Sequence, residues 1–365
     1  MLNNKSVAVV IPVYNEEKQI LSVLKTIPNF VDKVIIINDN SIDETENIIK
    51  NFINKYNTKT KVPINNKKIK KNKYNSAEFI LKELKKEELS YYPKFSIYNK
   101  NHYKDRFVLI SFTKNSGVGT AISKGYRYCR DENIFCTAVM AGDGQMDPNE
   151  LEKICLPVIN KEVDYVKGNR LSHRSAYLVV PRIRYLGNST LSLLTKIASG
   201  YWHISDTQTG FTAISLNALK AIRLEKIYPY YGCPNDILVK LNIAFCSIKE
   251  VPIKPVYGVG EKSKMKILKV IPRITCLLFK SFWKRLYIKY LFRDFHPLFL
   301  LYHFAFFILI FNIPYTIQAI ESLAPGKTID VKTALLFMFC ATSGLQALFF
   351  AMWMDMQDNE RLQKI

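Results

Sequence analysis

From residue 7 to about residue 254, short apolar segments alternate with segments whose apolar residues recur at helical spacing. Runs such as VAVVIPV (7–13) and VDKVIIIND (31–39) are strand-like and are followed by helix-like stretches. Strict alternation of strand and helix predicts a parallel sheet with helices on both faces. We therefore expect an α/β domain over residues 1–260, with a fifth strand at VDYVKGNR.

Polar residues stand where several of these strands should end. Asp39, Asn115 and Asp143 occupy such positions, and ligands bind at the carboxyl ends of strands in sheets of this kind. In the stretch AGDGQMDP (141–148), Asp143 offers a carboxylate and Gln145 a carbonyl oxygen, which suit Mg²⁺ or Mn²⁺. A turn that binds no ion explains the same residues, so both readings stay open here.

The net charge of +21 indicates an anionic partner, such as a membrane surface, a phosphorylated substrate or nucleic acid. Much of it lies in residues 51–106, which carry fifteen Lys/Arg and five acids. We interpret this segment as a solvated insertion with one surface helix at SAEFILKELKKEEL. No aromatic-rich recognition motif accompanies the charge, so we expect no nucleic-acid partner. The seven scattered cysteines indicate reduced thiols in the cytosol rather than disulfides or zinc.

Two long uncharged apolar runs follow the α/β domain, at 297–318 and 333–354. Each has about the 20 residues that cross a hydrocarbon core, which predicts two transmembrane helices rather than a buried hairpin. Ten Lys/Arg between positions 262 and 293 mix with aromatic residues, which predicts basic amphipathic helices at the membrane surface over 261–296. This charge bias predicts that the α/β domain and a tail over 355–365 lie in the cytoplasm.

Six motifs occur in an order that resembles glycosyltransferase family 2. They are VAVVIPVYNEE, VIIINDNSIDET, NSGVGTAISKGY, AGDGQMDP, VKGNR and SDTQTGF. Within that family the chain looks most like the membrane-anchored polyprenyl-phosphate glycosyltransferases of the dolichyl-phosphate mannose synthase type. The resemblance covers residues 6–260 without the insertion. It implies a GT-A fold and a nucleotide-diphosphate sugar as donor.

The resemblance also implies a donor site. Asp39 matches the acid that contacts the base or ribose, although capping of the next helix together with Ser41 is an ordinary alternative. Asp143 and Gln145 match the second acid and the glutamine of the family's metal motif, but Ala141 replaces its first acid. The other residues expected to bind the nucleotide sugar are Pro12, Tyr14, Asn15, Glu16, Asn115, Lys262 and Lys264.

The acceptor side rests on the same resemblance. Arg170 matches an arginine near the phosphates. Arg184 and Asn188, four residues apart on one helix face, match the residues that hold an acceptor phosphate. Asp206 matches an acid that supports the floor of the site. Asp236 begins a helix, where capping explains it, but it could also serve as a base for a sugar hydroxyl.

The resemblance implies an inverting glycosyltransferase that uses a polyprenyl phosphate at the cytoplasmic membrane face. Transfer to a sugar hydroxyl of a lipid-linked or surface glycan, with Asp236 as base, is the first alternative. A catalytically inactive membrane scaffold is a second, suggested only by Ala141.

Overall fold

A nine-stranded mixed sheet organises the chain in this computed structural model, which describes residues 1–60, 62, 72–176, 182–256, 267–324, 326 and 328–364. The strands are β1 (Val7–Val13), β2 (Lys33–Asn38), β3 (Phe95–Ile97), β4 (Phe107–Phe112), β5 (Cys136–Val139), β6 (Tyr165–Asn169), β7 (Thr212–Ser215), β8 (Ile248–Pro252) and β9 (Gln363–Lys364). The helices are α1 (Ile20–Lys25), α2 (Thr45–Tyr56), α3 (Ser76–Glu87), α4 (Val118–Asp131), α5 (Leu151–Ile159), α6 (Arg182–Ser199), α7 (Leu216–Ala221), α8 (Cys233–Ile243), α9 (Ile267–Tyr287), α10 (Leu298–Phe311), α11 (Ile313–Glu321) and α12 (Val331–Glu360).

The strand order is β3-β4-β2-β1-β5-β7-β6-β8-β9. The predicted α/β architecture is confirmed, and β4, β2, β1 and β5 pair in parallel as expected. The sheet is nevertheless mixed, because β7 lies antiparallel between β5 and β6. A strand of four residues that leads directly into a helix has too few positions to show a period, so β7 left no signal in the sequence.

The central strands are buried on both faces of the sheet. In β1, Val7, Val9 and Ile11 contribute to one core, whereas Ala8 and Val10 contribute to the other. This follows from the two-residue period of a strand, and it explains why the parallel strands read as continuous apolar runs.

The Lys/Asn-rich segment contains more regular structure than its composition indicated. Its first residues belong to α2, and β3 pairs antiparallel with β4 at the edge of the sheet. The expected surface helix is confirmed as α3, which buries none of its residues. Just beyond it, Glu88 accepts a hydrogen bond of 2.6 Å from Arg130 of α4. The segment is therefore attached to the domain at β3 and at Glu88.

The C-terminal helices pack on the α/β domain through a third apolar cluster. It joins Ala198 of α6 and Val239 of α8 to Leu278 and Phe282 of α9 and Tyr302 of α10. By length and composition α12 could cross a membrane, and α10 with α11, which meet at a bend of 40°, could form a second span. A π-helical turn, Ile288–Arg293, connects α9 to this part of the chain.

The chain returns to the sheet after α12. Strand β9 pairs in parallel with β8, and Ile248 donates its backbone N–H to the carbonyl of Leu362 at 2.8 Å. The backbone N–H of His203 donates to Gln363 Oε1 at 2.7 Å. Residues 355–364, which belong to the segment expected to form a tail (355–365), therefore contain the last turns of α12 and an edge strand of the sheet.

Candidate active site

Six polar segments meet at one edge of the sheet. Five of them follow strands β1, β2, β4, β5 and β6, and the sixth precedes β7. Because β7 is antiparallel, its first residue, Thr212, lies beside Val139 at the end of β5 and beside Lys167 near the end of β6. The segments are residues 12–16, Asp39, Asn115, Asp143, Arg170 and residues 206–210.

The loop after β1 is joined to the loop after β2. Asn15 has a left-handed backbone, with φ of 54°. Its backbone N–H donates to Ser41 Oγ at 3.0 Å, and its side-chain oxygen accepts from the backbone N–H of Ile42 at 2.9 Å. The backbone N–H of Glu16 donates to Thr45 Oγ1 at 2.8 Å. These bonds hold Tyr14 and Glu16, both half-buried, near the end of β2.

Asp39 binds the loop before α4. Its two carboxylate oxygens accept the backbone N–H groups of Ser116, at 2.7 Å, and Gly117, at 2.8 Å. Burial raises the pKa of Asp39, and these two bonds oppose that rise. The alternative that Asp39 caps α2 is wrong, because Glu44 directly precedes that helix and Asp39 supports the start of α4 instead. Asn115 lies exposed in the same loop.

The turn after β5 presents Asp143 and Gln145 at the same edge. The backbone N–H of Gln145 donates to Asp143 Oδ1 at 3.0 Å, and both residues are half-buried. A Cβ on Gly142 would lie 2.6 Å from Val13 Cγ1, so a glycine permits the close approach of this turn to β1. Asp147 caps the following 3₁₀ turn by accepting the backbone N–H of Asn149.

The residues of this turn fit a divalent cation that is mostly coordinated by its substrate. A carboxylate and an amide oxygen two residues apart are hard ligands, and Mg²⁺ binds commonly through one or two protein ligands together with phosphates. No group of three or more His, Cys, Asp or Glu that could hold a metal occurs in the described ranges. Ala141, which replaces the family's first acid, is half-buried in the same turn.

Arg170 is held by a fully buried acid. Its Nε donates to Asp206 Oδ2 at 2.8 Å and its Nη2 to Asp206 Oδ1 at 3.0 Å. Asp206 also accepts the backbone N–H groups of Gln208 and Thr209. Burial acts to raise the pKa of Asp206, but the charges of Arg170 and Lys167 and the bonds from Arg170 lower it overall. Asp206 therefore stays ionised and fixes Arg170 at the sheet edge.

Two further charged residues complete this arrangement and were not predicted. Lys167, inside β6, is fully buried and donates from Nζ to the carbonyl of Thr209. Glu250 in β8 accepts the backbone N–H of Asp206 at 3.0 Å and the side chain of Asn169 at 2.7 Å. Burial lowers the pKa of Lys167 to about 8 and raises that of Glu250. A lysine in the middle of the apolar strand YVKGN was the available signal in the sequence.

Asp236 lies inside the first turn of α8 rather than at its cap, which is Gly232. Its Oδ2 accepts the backbone N–H of Tyr228 at 2.8 Å and forms an ion pair with Lys240. Its neighbour Asn235 faces the active-site segment instead, because Gln208 Nε2 donates to Asn235 Oδ1 at 3.2 Å. The capping interpretation is wrong, and the carboxylate of Asp236 is already engaged by Tyr228 and Lys240.

The remaining predicted residues belong to parts described only as backbone or lie outside the described residues. Arg184 and Asn188 are one turn apart on α6, and only their place on the helix is described. Lys262 and Lys264 lie outside the described residues.

Comparison with known proteins identifies the family of this chain. Residues 8–76 and 90–223, more than half of the chain, match glycosyl transferase family 2. The chain is a glycosyltransferase. It belongs to glycosyltransferase family 2, as the motifs predicted.

Among curated proteins, the chain is similar to the UDP-N-acetylglucosamine–dolichyl-phosphate N-acetylglucosaminyltransferase of Methanococcus voltae. The two are 27% identical over 255 residues, which cover 70% of this chain and 87% of that protein. A dolichyl-phosphate beta-glucosyltransferase of Trichomonas vaginalis is 23% identical over 288 residues, covering 74% of this chain and 71% of that protein. Among solved structures, the UDP complex of glucosyl-3-phosphoglycerate synthase from Mycobacterium tuberculosis gives a TM-score of 0.46 at 15% identity, covering 77% of this chain and 80% of that one.

Proposed function

We propose that this glycosyltransferase moves a sugar from a nucleotide-diphosphate sugar to a polyprenyl phosphate, with inversion at the sugar carbon. The observation that carries the proposal is the convergence of Asp143, Gln145 and the Asp206-bound Arg170 at one sheet edge. Polyprenyl phosphate as the acceptor is supported by the dolichyl-phosphate transferases to which the chain is similar.

The donor would lie across the ends of β1, β2 and β5. Pro12, Tyr14, Asn15 and Glu16 would hold the nucleotide, and Asp39 would reach its base or ribose from the loop that it supports. Lys262 and Lys264 would contact the diphosphate. Asp143 and Gln145 would hold Mg²⁺ or Mn²⁺, which would neutralise charge on the departing diphosphate.

The acceptor would approach from α6. Arg184 and Asn188 would bind the lipid phosphate, and Arg170 would add positive charge near both phosphates. A phosphate oxygen would form the new bond to the sugar carbon, while the bond to the diphosphate breaks and its electron pair leaves with the nucleotide. A phosphate monoester is already anionic at neutral pH, with a second pKa of about 6, so orientation replaces a general base. This agrees with the engagement of Asp236 by Tyr228 and Lys240.

We further propose that α12 and the bent pair α10–α11 form two membrane spans, with α9 at the cytoplasmic surface. The uncharged runs and the ten Lys/Arg between 262 and 293 support this orientation. Cys276 on α9 is exposed, whereas the other six cysteines are buried. A membrane-impermeant maleimide should therefore label Cys276 in inverted vesicles and leave it unlabelled in intact cells. Labelling in intact cells would contradict the orientation.

The reaction is tested with the full chain in liposomes that contain either polyprenyl phosphate or the matched polyprenol. A panel of UDP- and GDP-sugars is supplied with Mg²⁺ or Mn²⁺, and the anomeric form of the product is read by NMR. We expect product only with the phosphate, and of inverted configuration. Transfer to a neutral glycan in place of the phosphate would reject the proposal.

The ion site is tested in the same assay. Asp143→Asn should remove nearly all transfer and most of the ion dependence, because this carboxylate is the only charged ligand in the proposed set. Ala141→Asp should tighten ion binding, measured by Mn²⁺ titration. An unchanged titration in Asp143→Asn would contradict the assignment.

A further inference from the structure

A buried polar cluster lies where α9 and the π-helical turn meet the C-terminal end of α12. We call it the Arg285 cluster; it consists of Arg285, Lys289, Tyr290, Asp355, Asp358 and Asn359. Arg285 and Asp355 form a bidentate pair, with Nη1–Oδ1 of 2.7 Å and Nη2–Oδ2 of 2.8 Å. Both side chains are 0% exposed. The pair thus joins α9 to the helix that we propose as a membrane span.

The same guanidinium holds the end of α6. Its Nε donates to the carbonyl of Ala198 and its Nη2 to the carbonyl of Ile197, each at 3.0 Å. These are among the last carbonyls of α6, which lack partners within the helix. Next to them Gly200 has φ of 76°, and a Cβ there would lie 2.6 Å from Arg285 Nη1. One side chain therefore connects α6, α9 and α12.

The rest of the cluster adds α8 to this connection. Lys289 Nζ donates to Asn359 Oδ1 at 2.6 Å and pairs with Asp358 at 3.0 Å. Asn242, near the end of α8, donates to the same Asn359 oxygen at 2.7 Å. Strand β9 begins only a few residues later. The base of α12 is thereby attached to the ends of both α6 and α8.

Stability alone does not explain why an ion pair occupies this buried position. Apolar residues of similar volume are often equally or more stabilising than such a pair. The guanidinium also fixes the relative orientation of the helices that it contacts, because its donors lie in one rigid plane. The position of Arg184 is about 20 Å from the cluster along α6, at 1.5 Å per residue. A tilt of about 10° at the cluster would therefore move that position by about 3.5 Å.

We propose that Arg285 and Asp355 are positioning residues for the lipid acceptor. They fix the orientation of α6 relative to α12, and so the height and angle at which the acceptor helix meets a phosphate at the bilayer surface. This inference rests on the proposed function. If the inference is correct, changes in the cluster should weaken the use of an acceptor embedded in the bilayer more than the use of an acceptor in solution.

The kinetic test uses the full chain in liposomes, with Arg285→Met and Asp355→Leu combined so that no charge is left buried without a partner. We expect the KM for long-chain polyprenyl phosphate to rise about 10-fold or more, since small misplacements of binding groups have large effects. The KM values for a short, water-soluble polyprenyl phosphate and for the donor should stay near those of the wild type. Arg130→Met with Glu88→Leu removes the ion pair between Arg130 of α4 and Glu88 of the turn after α3, and is the matched control. An equal change with both acceptors, or no change in a folded variant, would overturn the inference.

A second measurement does not depend on activity. Spin labels are attached to Leu193→Cys and Met356→Cys, both at exposed positions on α6 and α12, in a Cys276→Ser background. The distance distribution should be narrow in the parent chain and broader in the Arg285→Met, Asp355→Leu variant. An unchanged distribution would overturn the inference. If the distribution broadens but the parent chain does not glycosylate polyprenyl phosphate, the proposed function fails while the helix connection stands.

Discussion

Two arginine–aspartate pairs in this chain are both bidentate but differ in their surroundings. Arg170 and Asp206 make two bonds of 2.8 and 3.0 Å, and Arg285 and Asp355 make two of 2.7 and 2.8 Å. The Arg170 side chain is 23% exposed, whereas that of Arg285 is 0% exposed. The first guanidinium can still meet a ligand. The second is enclosed by protein, with its bonds going to Asp355, Tyr290 and the carbonyls of α6.

Each pair also has a buried lysine beside it. Burial lowers the pKa of Lys167 to about 8 and that of Lys289 to about 8. Lys167 donates to the carbonyl of Thr209 at the edge of the sheet that holds the candidate site, and Lys289 donates to Asn359 at the base of α12. The comparison shows that similar buried charges can either orient an arginine at the edge of the sheet or fix one helix against another. Which of these roles applies depends on how much of the arginine side chain remains exposed.

Arg285→Ala is expected to have the largest effect, which is a loss of folding stability. It leaves the Asp355 carboxylate buried without its cation, which costs roughly 3–5 kcal/mol. Thermal unfolding of the full chain in detergent measures the loss. Arg170→Ala should cost less stability, because the Arg170 side chain is partly exposed and Asp206 keeps the nearby charge of Lys167 and the N–H groups of Gln208 and Thr209. Equal losses in the two variants would contradict the difference between the pairs.

Arg170→Ala should act mainly on catalysis. Removing one donor that stabilises developing charge typically lowers kcat by roughly 100–1,000-fold. The control is Arg223→Ala, which removes an arginine with a 73% exposed side chain, paired with Glu225 away from the sheet edge. Kinetics with saturating donor and acceptor give the comparison. A variant of Arg170 with normal kcat would assign that residue a structural role like that of Arg285.

The two lysines should share a pH dependence of stability. A folded-state pKa of about 8 lies below the ordinary lysine value of 10.5. The folded chain therefore releases these protons first, and its stability rises with pH above about 8. Lys167→Met and Lys289→Met should each remove one lysine's share of this rise in stability, about 1 kcal/mol between pH 8 and 9. Unfolding at pH 7.5, 8.5 and 9.5 tests it. A slope equal to that of the wild type in either variant would refute the prediction for that lysine.

Asp236→Asn should have the smallest effect. The amide oxygen can still accept from the backbone N–H of Tyr228, and only the charge opposite Lys240 is lost. We expect kcat with polyprenyl phosphate to change by no more than about 3-fold, whereas loss of a general base costs roughly 100–10,000-fold. Gln208→Leu, which removes the donor to Asn235, tests the face of α8 that contacts the active site. A large loss in Asp236→Asn would restore transfer to a sugar hydroxyl as the reaction.

Sequence patterns located many of the polar residues at this sheet edge, because strand ends can be recognised locally. Asp39, Asn115, Asp143 and Arg170 each follow an apolar run, and parallel strands bring their carboxyl ends to one edge. The bonds of Asp39 to Ser116 and Gly117 could not be predicted in the same way. They join loops about 77 positions apart, and no periodicity encodes which backbone groups will meet.

By itself, the sequence determined the family, the α/β alternation, the strand-end residues and the apolar C-terminal runs. Each of these features follows from local periodicity or from the order of short motifs. Only the tertiary structure decided the direction of β7, the return of the chain as β9, and the partners of Lys167, Asp236 and Arg285. Those features join residues that are distant in the chain, such as Arg285 and Asp355, which are 70 positions apart. A single buried charge has no period, so its partner emerges only when packing brings the two together.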